Sequence, residues 1–315
     1  MNLSELKGAF ARGEIDKAAF IARAYGAHQY LFEYVRALAE TNVAGIEVTE
    51  EGVRFSFSDP EMRLWSREGD RRTAPIEALN FGSYEKHELR TALMLIDSLG
   101  EEPGAILDVG ANIGYYSIAI ARANPERSVV SFEPIPATFE LLRRNLELNG
   151  VENVKAVNAG VSDKSGEKSF FLSPFQSDAA SAINLLEDEN AEEIRCKILT
   201  MDSAIGVAGC DLPVKFIKCD VEGGELFAFI GGEGTIRRDR PIILTEMLRK
   251  WSAKFNYHPN DIIEFLNGMG YACHRLTGDG LISCLAVDED TIETNFVFLH
   301  SVAHATQTAQ FVRSF

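Results

Sequence analysis

The sequence lacks long apolar runs. No stretch of its 315 residues approaches the roughly 18 consecutive apolar residues that a membrane-spanning helix needs. The N-terminal stretch MNLSELKGAFARGEID carries acidic residues early and has no uninterrupted apolar segment, so it does not match a secretory signal. We therefore expect no membrane partner and a cytoplasmic location.

Basic residues are in deficit. The chain has 31 Lys and Arg against 47 Asp and Glu, which gives a formal net charge of -16 at pH 7. Such a surface repels the phosphates of nucleic acids and of anionic lipids, so neither is an expected partner. The same charge tolerates a cationic ligand but identifies none.

The sequence also lacks any C-x-x-C pair, and its cysteines are odd in number, at five. This usage predicts reduced thiols rather than a disulfide framework. Internal repeats and low-complexity tracts are absent too. The cysteines are Cys196, Cys210, Cys219, Cys273 and Cys284.

Apolar residues are plentiful enough for a core, since 46% of the chain is hydrophobic. The length suits one large α/β domain, or a domain of about 200 residues with an added cap. A helix is predicted from Asp16 to about Glu40, because apolar residues recur at helical spacing and leave one face to bury. A β-hairpin with Val53, Phe55 and Phe57 on one side follows. We predict that residues 1–80 form an N-terminal cap. The apolar positions of the helix are Phe20, Ala24, Ala27, Leu31, Val35 and Leu38.

From residue 81 onward, predicted strands alternate with amphipathic helices. The strands are AILDV, SVVSFE, NVKAVNAG, PVKFIKCDVEG, RPIILTEM and the closing NFVFLH. This alternation predicts an α/β fold with a mainly parallel sheet, whose ligand lies beyond the carboxyl ends of the strands. A polar stretch from Phe170 to Ala191 interrupts the pattern, and we expect it to be a mobile insertion near the site.

The first strand ends in DVGANIG, residues 108–114. Gly110 and Gly114 permit a tight turn and a close approach of a ligand to the backbone. The spacing is not G-x-G-x-x-G, and an acid beside a helix N-terminus disfavours a pyrophosphate. Asp108, with these glycines and Asn112, therefore favours a ligand that bears an ammonium or a sulfonium. The alternative is an ordinary βα turn in which Asn112 caps the helix.

The next two strands end in residues suited to a nucleoside. Glu133 follows the second strand, and an acid there accepts hydrogen bonds from both ribose hydroxyls. This feature does not distinguish NAD from S-adenosylmethionine, and a solvated Glu133 before a proline turn is the alternative. At the end of the third strand, the backbone amide near Val161 is a candidate contact for an adenine edge.

The fourth strand carries most of the ionisable groups. In KFIKCDVEGGE, Lys218, Asp220 and Glu222 alternate, so they project to one face if the strand stays extended. Glu246, in ILTEM at the end of the fifth strand, converges on the same rim. Unpaired charges are costly to bury. The cluster is therefore either a structural Lys218–Asp220 ion pair or a reactive group beside the ligand, and Glu246 is either part of it or a surface acid.

Together these stretches resemble the FkbM-type S-adenosylmethionine-dependent methyltransferases. The matching motifs are GSYEKHE, LDVGANIGYYS, SFEPIP, NAGVSD, IKCDVEGGE and ILTEM. The resemblance implies a class I methyltransferase fold, a Rossmann-like, mainly parallel sheet of seven strands with the last one antiparallel, and a methyltransferase domain over residues 81–315. It also implies S-adenosyl-L-methionine as the cofactor. The candidate cofactor-binding residues are Tyr84, Glu85, Asp108, Gly110, Asn112, Gly114, Glu133, Pro134, Val161 and Asp220.

The resemblance further implies O-methylation of a hydroxyl on a sugar or natural product. An alcohol is a poor nucleophile, so a base must take its proton or a metal must lower its pKa. Asp220 and Glu246 are the candidate bases, with Lys218 as electrostatic partner, and His87 is a weaker candidate. We predict no metal site, although three carboxylates on one rim could hold a divalent cation.

Two alternatives stay open. The domain could bind S-adenosylmethionine without turnover, in which case it would not need the strand-four cluster. It could also methylate nitrogen or carbon, although the N/D-P-P-Y/F loop of many amino-group methyltransferases is replaced by CDVEGG. A nicotinamide dehydrogenase is disfavoured, because neither G-x-G-x-x-G nor Tyr-x-x-x-Lys is present. The sequence leaves open the identity of the small-molecule or glycan acceptor and whether the chain forms a homo-oligomer.

Overall fold

The computed structural model describes residues 2–173, 176–185, 187 and 189–313. Its N-terminal segment contains helices and a small antiparallel sheet of order β1-β2-β3. The elements are α1 (Leu3–Ala11), α2 (Lys17–His28), α3 (Tyr30–Ala39), β1 (Val43–Thr49), β2 (Gly52–Ser58), β3 (Glu61–Ser66), α4 (Ala74–Phe81) and α5 (Lys86–Asp97).

The predicted helix from Asp16 to Glu40 is two helices, α2 and α3, which meet at Gln29. Asp16 caps α2, since its Oδ1 accepts a hydrogen bond from the Ala19 N–H at 2.8 Å. The predicted face is buried only in part: Ala24 is 9% exposed and Leu38 packs against the core, whereas Leu31 is 61% and Val35 68% exposed. Helical spacing reveals which face is apolar, but it does not reveal whether another element covers that face.

A second set of elements builds a large twisted sheet with helices on both faces. Up to the end of the third strand the elements are β4 (Ala105–Val109), α6 (Tyr115–Ala123), β5 (Ser128–Phe132), α7 (Pro136–Asn149) and β6 (Val154–Val157). After an intervening small sheet come α8 (Met201–Val207), β11 (Val214–Cys219), α9 (Glu225–Ile230), α10 (Glu233–Asp239), β12 (Ile242–Glu246), α11 (Arg249–Lys254), α12 (Pro259–Asn267), β13 (Tyr271–Thr277), β14 (Gly280–Ser283), β15 (Asn295–His300), α13 (Ala305–Phe311) and β16 (Val312–Arg313).

The large sheet has the strand order β16-β14-β13-β15-β12-β11-β4-β5-β6. The five strands from β12 to β6 are parallel, and β15 runs antiparallel to both of its neighbours. The sheet has nine strands where the sequence analysis predicted seven. The additional ones are β14, which returns from β13 through a tight turn, and the two-residue β16 beside it.

The intervening small sheet contains β7 (Gly160–Val161), β8 (Gly166–Ser173), β9 (Gln176–Ser181) and β10 (Glu192–Leu199) in the order β7-β10-β8-β9. The polar stretch predicted as an insertion, residues 170–191, therefore supplies part of β8 and all of β9. Four of its positions, 174, 175, 186 and 188, lie outside the described residues. Its mobility stays a prediction.

Two apolar cores lie on the two faces of the large sheet. One contains Ile106 and Ile118 and also takes in Phe57 and Leu64 of the N-terminal sheet. The other contains Leu107 and the inner faces of α8, α9, α10 and α12. Strand β4 is buried along its whole length, as expected for a central parallel strand. Among the helices of the described chain, none combines the length and the apolar composition that a bilayer crossing requires.

Residues before and after position 80 are joined by a buried asparagine. Asn145 of α7, fully buried, accepts the Trp65 N–H at 2.7 Å and donates to the Ile113 carbonyl at 2.8 Å. The N-terminal sheet is thereby tied to the loop after β4. The predicted boundary between residues 80 and 81 falls in the last turn of α4, and the division into two domains stays a prediction.

Candidate active site

A cavity of about 300 Å³ opens at the carboxyl ends of β4, β5, β11 and β12. Its position agrees with the expectation for a parallel sheet. Most residues proposed from the sequence line it: Tyr84, Glu85, Gly110, Asn112, Glu133, Pro134, Val161, Lys218, Asp220, Glu222 and Glu246. Asp108 and Gly114 do not.

The turn after β4 is fixed by packing as well as by its glycines. Gly110 has a φ of +84°, and a Cβ added there would lie 1.8 Å from the Asp220 carbonyl oxygen. At Gly114, with φ of +96°, an added Cβ would lie 2.6 Å from Leu142 Cδ1. Other parts of the chain therefore pack closely against both glycines. A close approach of a ligand at Gly110, which lines the cavity, stays a prediction.

Asp108 lies beneath the floor of the cavity. Its side chain is fully buried, Oδ2 accepts a hydrogen bond from Ser117 Oγ at 2.5 Å, and Oδ1 lies 4.0 Å from Lys218 Nζ. Burial raises the pKa of Asp108, and the positive charge of Lys218 opposes that rise. The structure thus places this carboxylate outside the cavity lining, bound to Ser117 and near Lys218.

Glu133 is buried in the wall at the end of β5. Its Oε1 accepts the Ile135 N–H at 2.8 Å, and its Oε2 accepts the Asn112 N–H at 3.1 Å. Burial raises the pKa of Glu133 to about 7, although these two hydrogen bonds favour the charged form. Each oxygen keeps acceptor capacity toward the cavity. Asn112 presents a buried Oδ1 that has no hydrogen-bond partner among the described residues.

An apolar slot adjoins Glu133. Its walls come from four different elements and loops and include Pro134, Val161, Phe170 and Ile198, all of which line the cavity. Val161 belongs to β7 of the small sheet and is only 7% exposed. These side chains give this part of the cavity an apolar lining.

Lys218 and Asp220 stand side by side at the end of β11. Lys218 Nζ lies 3.2 Å from Asp220 Oδ2, donates to the Gly110 carbonyl at 3.3 Å and sits 5.0 Å from the ring centroid of Tyr116. Burial by itself would lower the pKa of Lys218, but the carboxylates of Asp220, Asp108 and Glu85 raise it above its ordinary value. This lysine is therefore a permanent cation at neutral pH.

The strand does not stay extended beyond Cys219, so the predicted alternation ends at Asp220. Glu222 lies in a turn with φ of +55°. Carboxylate oxygens of Asp220, Glu222 and Glu246 nevertheless come within 4.8 Å of one another. Three such oxygens could hold a divalent cation. The expectation of no metal site stays a prediction.

Glu246, a member of this cluster, and Glu85, which interacts with Asp220, both have shifted pKa values. Burial, followed by the negative charges of Asp220 and Glu225, raises the pKa of Glu246 to about 9. Burial and the charge of Asp220 also raise the pKa of Glu85. Glu85 adopts left-handed backbone angles with φ of +39° immediately before α5, a conformation that is uncommon for a non-glycine residue. Next to it, the Tyr84 carbonyl accepts a hydrogen bond from Tyr115 at 3.0 Å.

The histidines lie away from the cavity in the described chain. His87 is exposed on α5. His258 caps α12 through an Asn260 N–H at 3.2 Å, and His274 is buried against the Val297 carbonyl. The His87 candidate for catalysis is therefore not placed near the acidic cluster.

Sequence reasoning missed several residues of the site. Arg72 and Ala74, from the predicted cap, line the cavity, as do Tyr116, Lys168 and Trp251. Glu225 lies just behind the rim, 2% exposed. The sequence signal for Glu225 was its place in the dense acidic motif CDVEGGE, but its contacts depend on the turn that precedes it.

The known proteins to which this chain is similar include methyltransferases. The model of a family described as the methyltransferase FkbM domain matches residues 108–273, slightly more than half of the chain. "Methyltransferase 1" of Beauveria bassiana (strain ARSEF 2860) is 25% identical over 137 residues, which cover 38% of this chain and 55% of that protein. The 31-O-demethyl-FK506 methyltransferase FkbM of Streptomyces tacrolimicus is 29% identical over 159 residues, which cover 42% and 60%.

A solved structure, methyltransferase FkbM from Methylobacillus flagellatus KT, aligns with a TM-score of 0.40 and 16% identity, over 64% of this chain and 45% of that chain. The matched regions span less than two thirds of the length of each of these three proteins.

Proposed function

Since the chain belongs to the family of methyltransferases with the FkbM domain, we propose that it transfers a methyl group from S-adenosyl-L-methionine to a hydroxyl of a sugar or another small natural product. One observation carries the cofactor assignment. The same cavity has a buried carboxylate suited to a ribose, Glu133, at one side and an acidic rim around Asp220 at the other.

The residues fit the three parts of this cofactor. Glu133 has acceptor capacity for the ribose hydroxyls, and the slot beside Val161 suits the adenine. The buried Asn112 Oδ1 without a partner among the described residues would accept a hydrogen bond from the ligand. Asp220 and Glu85 surround the remaining end with negative charge, which favours a sulfonium.

When bound, the cofactor supplies an activated methyl group and its own leaving group. The chain must bring the acceptor oxygen into line and remove its proton. We assign the proton acceptor to Asp220, whose Oδ1 has no hydrogen-bond partner among the described residues and whose Oδ2 is held by Lys218. Glu246 is the less suitable base, because burial and the negative charge of Asp220 raise its pKa and so favour its protonated form.

Two observations support a small molecule or a glycan as the methyl acceptor. The chain's net charge of -16 argues against a nucleic acid acceptor. Trp251, Phe227 and Phe255 line the cavity beyond the acidic rim and offer apolar surface for the body of such a molecule.

Calorimetry with S-adenosylhomocysteine tests the cofactor assignment. We expect the wild type to bind, Glu133→Ala to lose at least about tenfold in affinity through the lost hydrogen bonds, and the exposed Glu126→Ala to bind like the wild type. If the wild type does not bind, or if Glu133→Ala binds equally well, the assignment is wrong.

A screen of hydroxylated metabolites with methyl-labelled cofactor tests the reaction. Label in an ether supports O-methylation. Label on nitrogen or carbon contradicts it, and binding without any transfer to the panel favours a non-catalytic role.

A further inference from the structure

Glu225 is a buried acid that the reaction proposed above does not use. It is the first residue of α9, is 2% exposed and lies behind the cavity wall, outside the residues that line the cavity. Burying a carboxylate is costly unless hydrogen bonds compensate it, and burial raises its pKa to about 7. Its contacts therefore need an explanation.

The carboxylate of Glu225 holds the turn that follows Asp220. Its Oε1 accepts the N–H groups of Val221 at 3.0 Å and of Gly223 at 3.1 Å. The Tyr257 hydroxyl lies 3.2 Å from Glu225 Oε2 and 3.0 Å from the Gly223 carbonyl. A buried side chain and its tyrosine partner thus fix three backbone polar atoms of this turn.

This turn needs outside support. Glu222 and Gly223 have φ of +55° and +93° in succession, and left-handed angles at a non-glycine residue are unfavourable unless the surrounding structure holds them. The other end of the turn is anchored: the Asp220 N–H donates to the Val109 carbonyl at 3.0 Å, and the Asp220 carbonyl packs against Gly110. The Glu222 carbonyl also accepts a hydrogen bond from Ser181 Oγ at 2.8 Å. Without Glu225, the N–H groups of Val221 and Gly223 would lose their shared acceptor.

We propose that Glu225 is a positioning residue, which fixes the turn after β11 so that the Asp220 carboxylate faces the reactive end of the bound cofactor. The proposal rests on the proposed function. It adds to that function the residue that orients Asp220, the proposed proton acceptor.

The test compares the affinities of S-adenosylmethionine and S-adenosylhomocysteine, measured by calorimetry at pH 8. The two ligands differ by one methyl group and one positive charge at sulfur, so the ratio of their affinities reports the field that Asp220 creates there. A purely structural loss would weaken both ligands alike. We expect Glu225→Ala to lower this ratio about three- to tenfold.

Three further variants separate positioning from charge. Glu225→Gln keeps an oxygen for the two N–H groups, so its ratio should stay within about twofold of the wild type. In an Asp220→Ala background, Glu225→Ala should change the ratio no further, because the effect acts through Asp220. The matched control is Glu233→Ala, which removes a half-exposed first-turn acid of α10 that pairs with Arg237, and it should leave the ratio unchanged.

The outcomes are decisive. The proposal is overturned if the affinity ratio falls equally in Glu225→Ala and Glu225→Gln, or if it is unchanged in both. It is also overturned if Glu225→Ala lowers the ratio further in the Asp220→Ala background. If Glu225→Ala does not fold, Tyr257→Phe replaces it, and its ratio should fall by a smaller factor; an unchanged ratio would then overturn the proposal. A wild type that binds neither ligand refutes the proposed function instead.

Discussion

The Nζ atom of Lys218 lies 3.2 Å from Oδ2 of Asp220, and the same ammonium lies 4.0 Å from Oδ1 of the fully buried Asp108. One cation therefore neutralises a carboxylate at the cavity rim and another beneath its floor. Strand pairing creates this arrangement, because Lys218 of β11 is in register with Asp108 of β4. Of the two alternatives drawn from the sequence, the structure shows the Lys218–Asp220 ion pair, and the reactive role of the cluster stays a proposal.

Removing the Lys218 charge should destabilise the fold. Lys218→Met leaves two acidic groups without their shared counter-ion, and breaking a buried pair in this way costs about 3–5 kcal/mol. Urea unfolding at pH 7 measures the loss. The matched control is Lys215→Met on the same strand, whose 2.9 Å pair with the exposed Glu102 should contribute less than about 1 kcal/mol. Equal losses in the two variants would contradict a special role for Lys218.

Asp220→Asn should separate binding from turnover. The amide keeps the shape of the side chain but cannot take a proton from the acceptor, so we expect methyl transfer to fall by about a hundredfold or more. Affinity for S-adenosylhomocysteine should stay within a few-fold. Burial raises the pKa of Glu246 and favours its protonated form, so Glu246→Gln should keep more activity. A larger loss in Glu246→Gln than in Asp220→Asn would reverse the two assignments.

Affinity for S-adenosylhomocysteine should depend on pH through Glu133. Burial raises the pKa of this carboxyl to about 7, and the ribose hydroxyls favour the ionised form, so protonation competes with binding below that pH. We expect Kd to rise about tenfold for each pH unit below about 7, as a single proton requires, and to be flat above pH 8. Calorimetry at several pH values measures it. Glu133→Gln should bind weakly at every pH, and a sloping profile in that variant would assign the effect to another group.

Glu246 should make the folded state less stable as pH rises. Its folded pKa of about 9 is above the ordinary value of 4.5, so the folded protein binds the proton more tightly than the unfolded chain does. The cost is absent below about pH 4.5 and grows until about pH 9. Glu246→Gln, which cannot ionise, should gain stability relative to the wild type across this window. Urea midpoints at pH 5 and pH 8 test the sign, and a relative gain confined to pH 5 would contradict it.

Sequence patterns predicted the parts of the fold that depend on neighbouring residues. Strand β4 and helix α6 follow from an apolar run, a glycine turn and helical spacing, and they placed Gly110 and Asn112 at the cavity. Glu133, Asp220 and Glu246 were predicted to lie there because they follow β5, β11 and β12, and parallel strands end at the same edge of a sheet.

Features that depend on tertiary packing could not be predicted in this way. The stretch GELFAFIGGEGTI has helical spacing throughout but forms two helices, α9 and α10. Between them Gly231 packs so closely that an added Cβ would lie 2.1 Å from the Ser162 carbonyl oxygen. Asp108 lies under the floor because its strand partner is Lys218, and Glu225 folds back onto a turn whose shape no local pattern encodes.

Gly110 offers a test of that packing. Alanine at this position meets two penalties: a φ of +84° that L-residues rarely adopt, and a Cβ 1.8 Å from the Asp220 carbonyl oxygen. Gly150, the C-cap of α7 with φ of +60°, has nothing within 4 Å of an added Cβ, so Gly150→Ala meets only the first penalty. We expect about 1–2 kcal/mol of destabilisation for Gly150→Ala and a distinctly larger loss for Gly110→Ala, measured by urea unfolding. Because the Asp220 backbone must move to admit the new methyl group, Gly110→Ala should also weaken S-adenosylhomocysteine binding, whereas Gly150→Ala should not. Equal stability losses in the two variants would mean that the ends of β4 and β11 are not packed as tightly as the 1.8 Å approach implies.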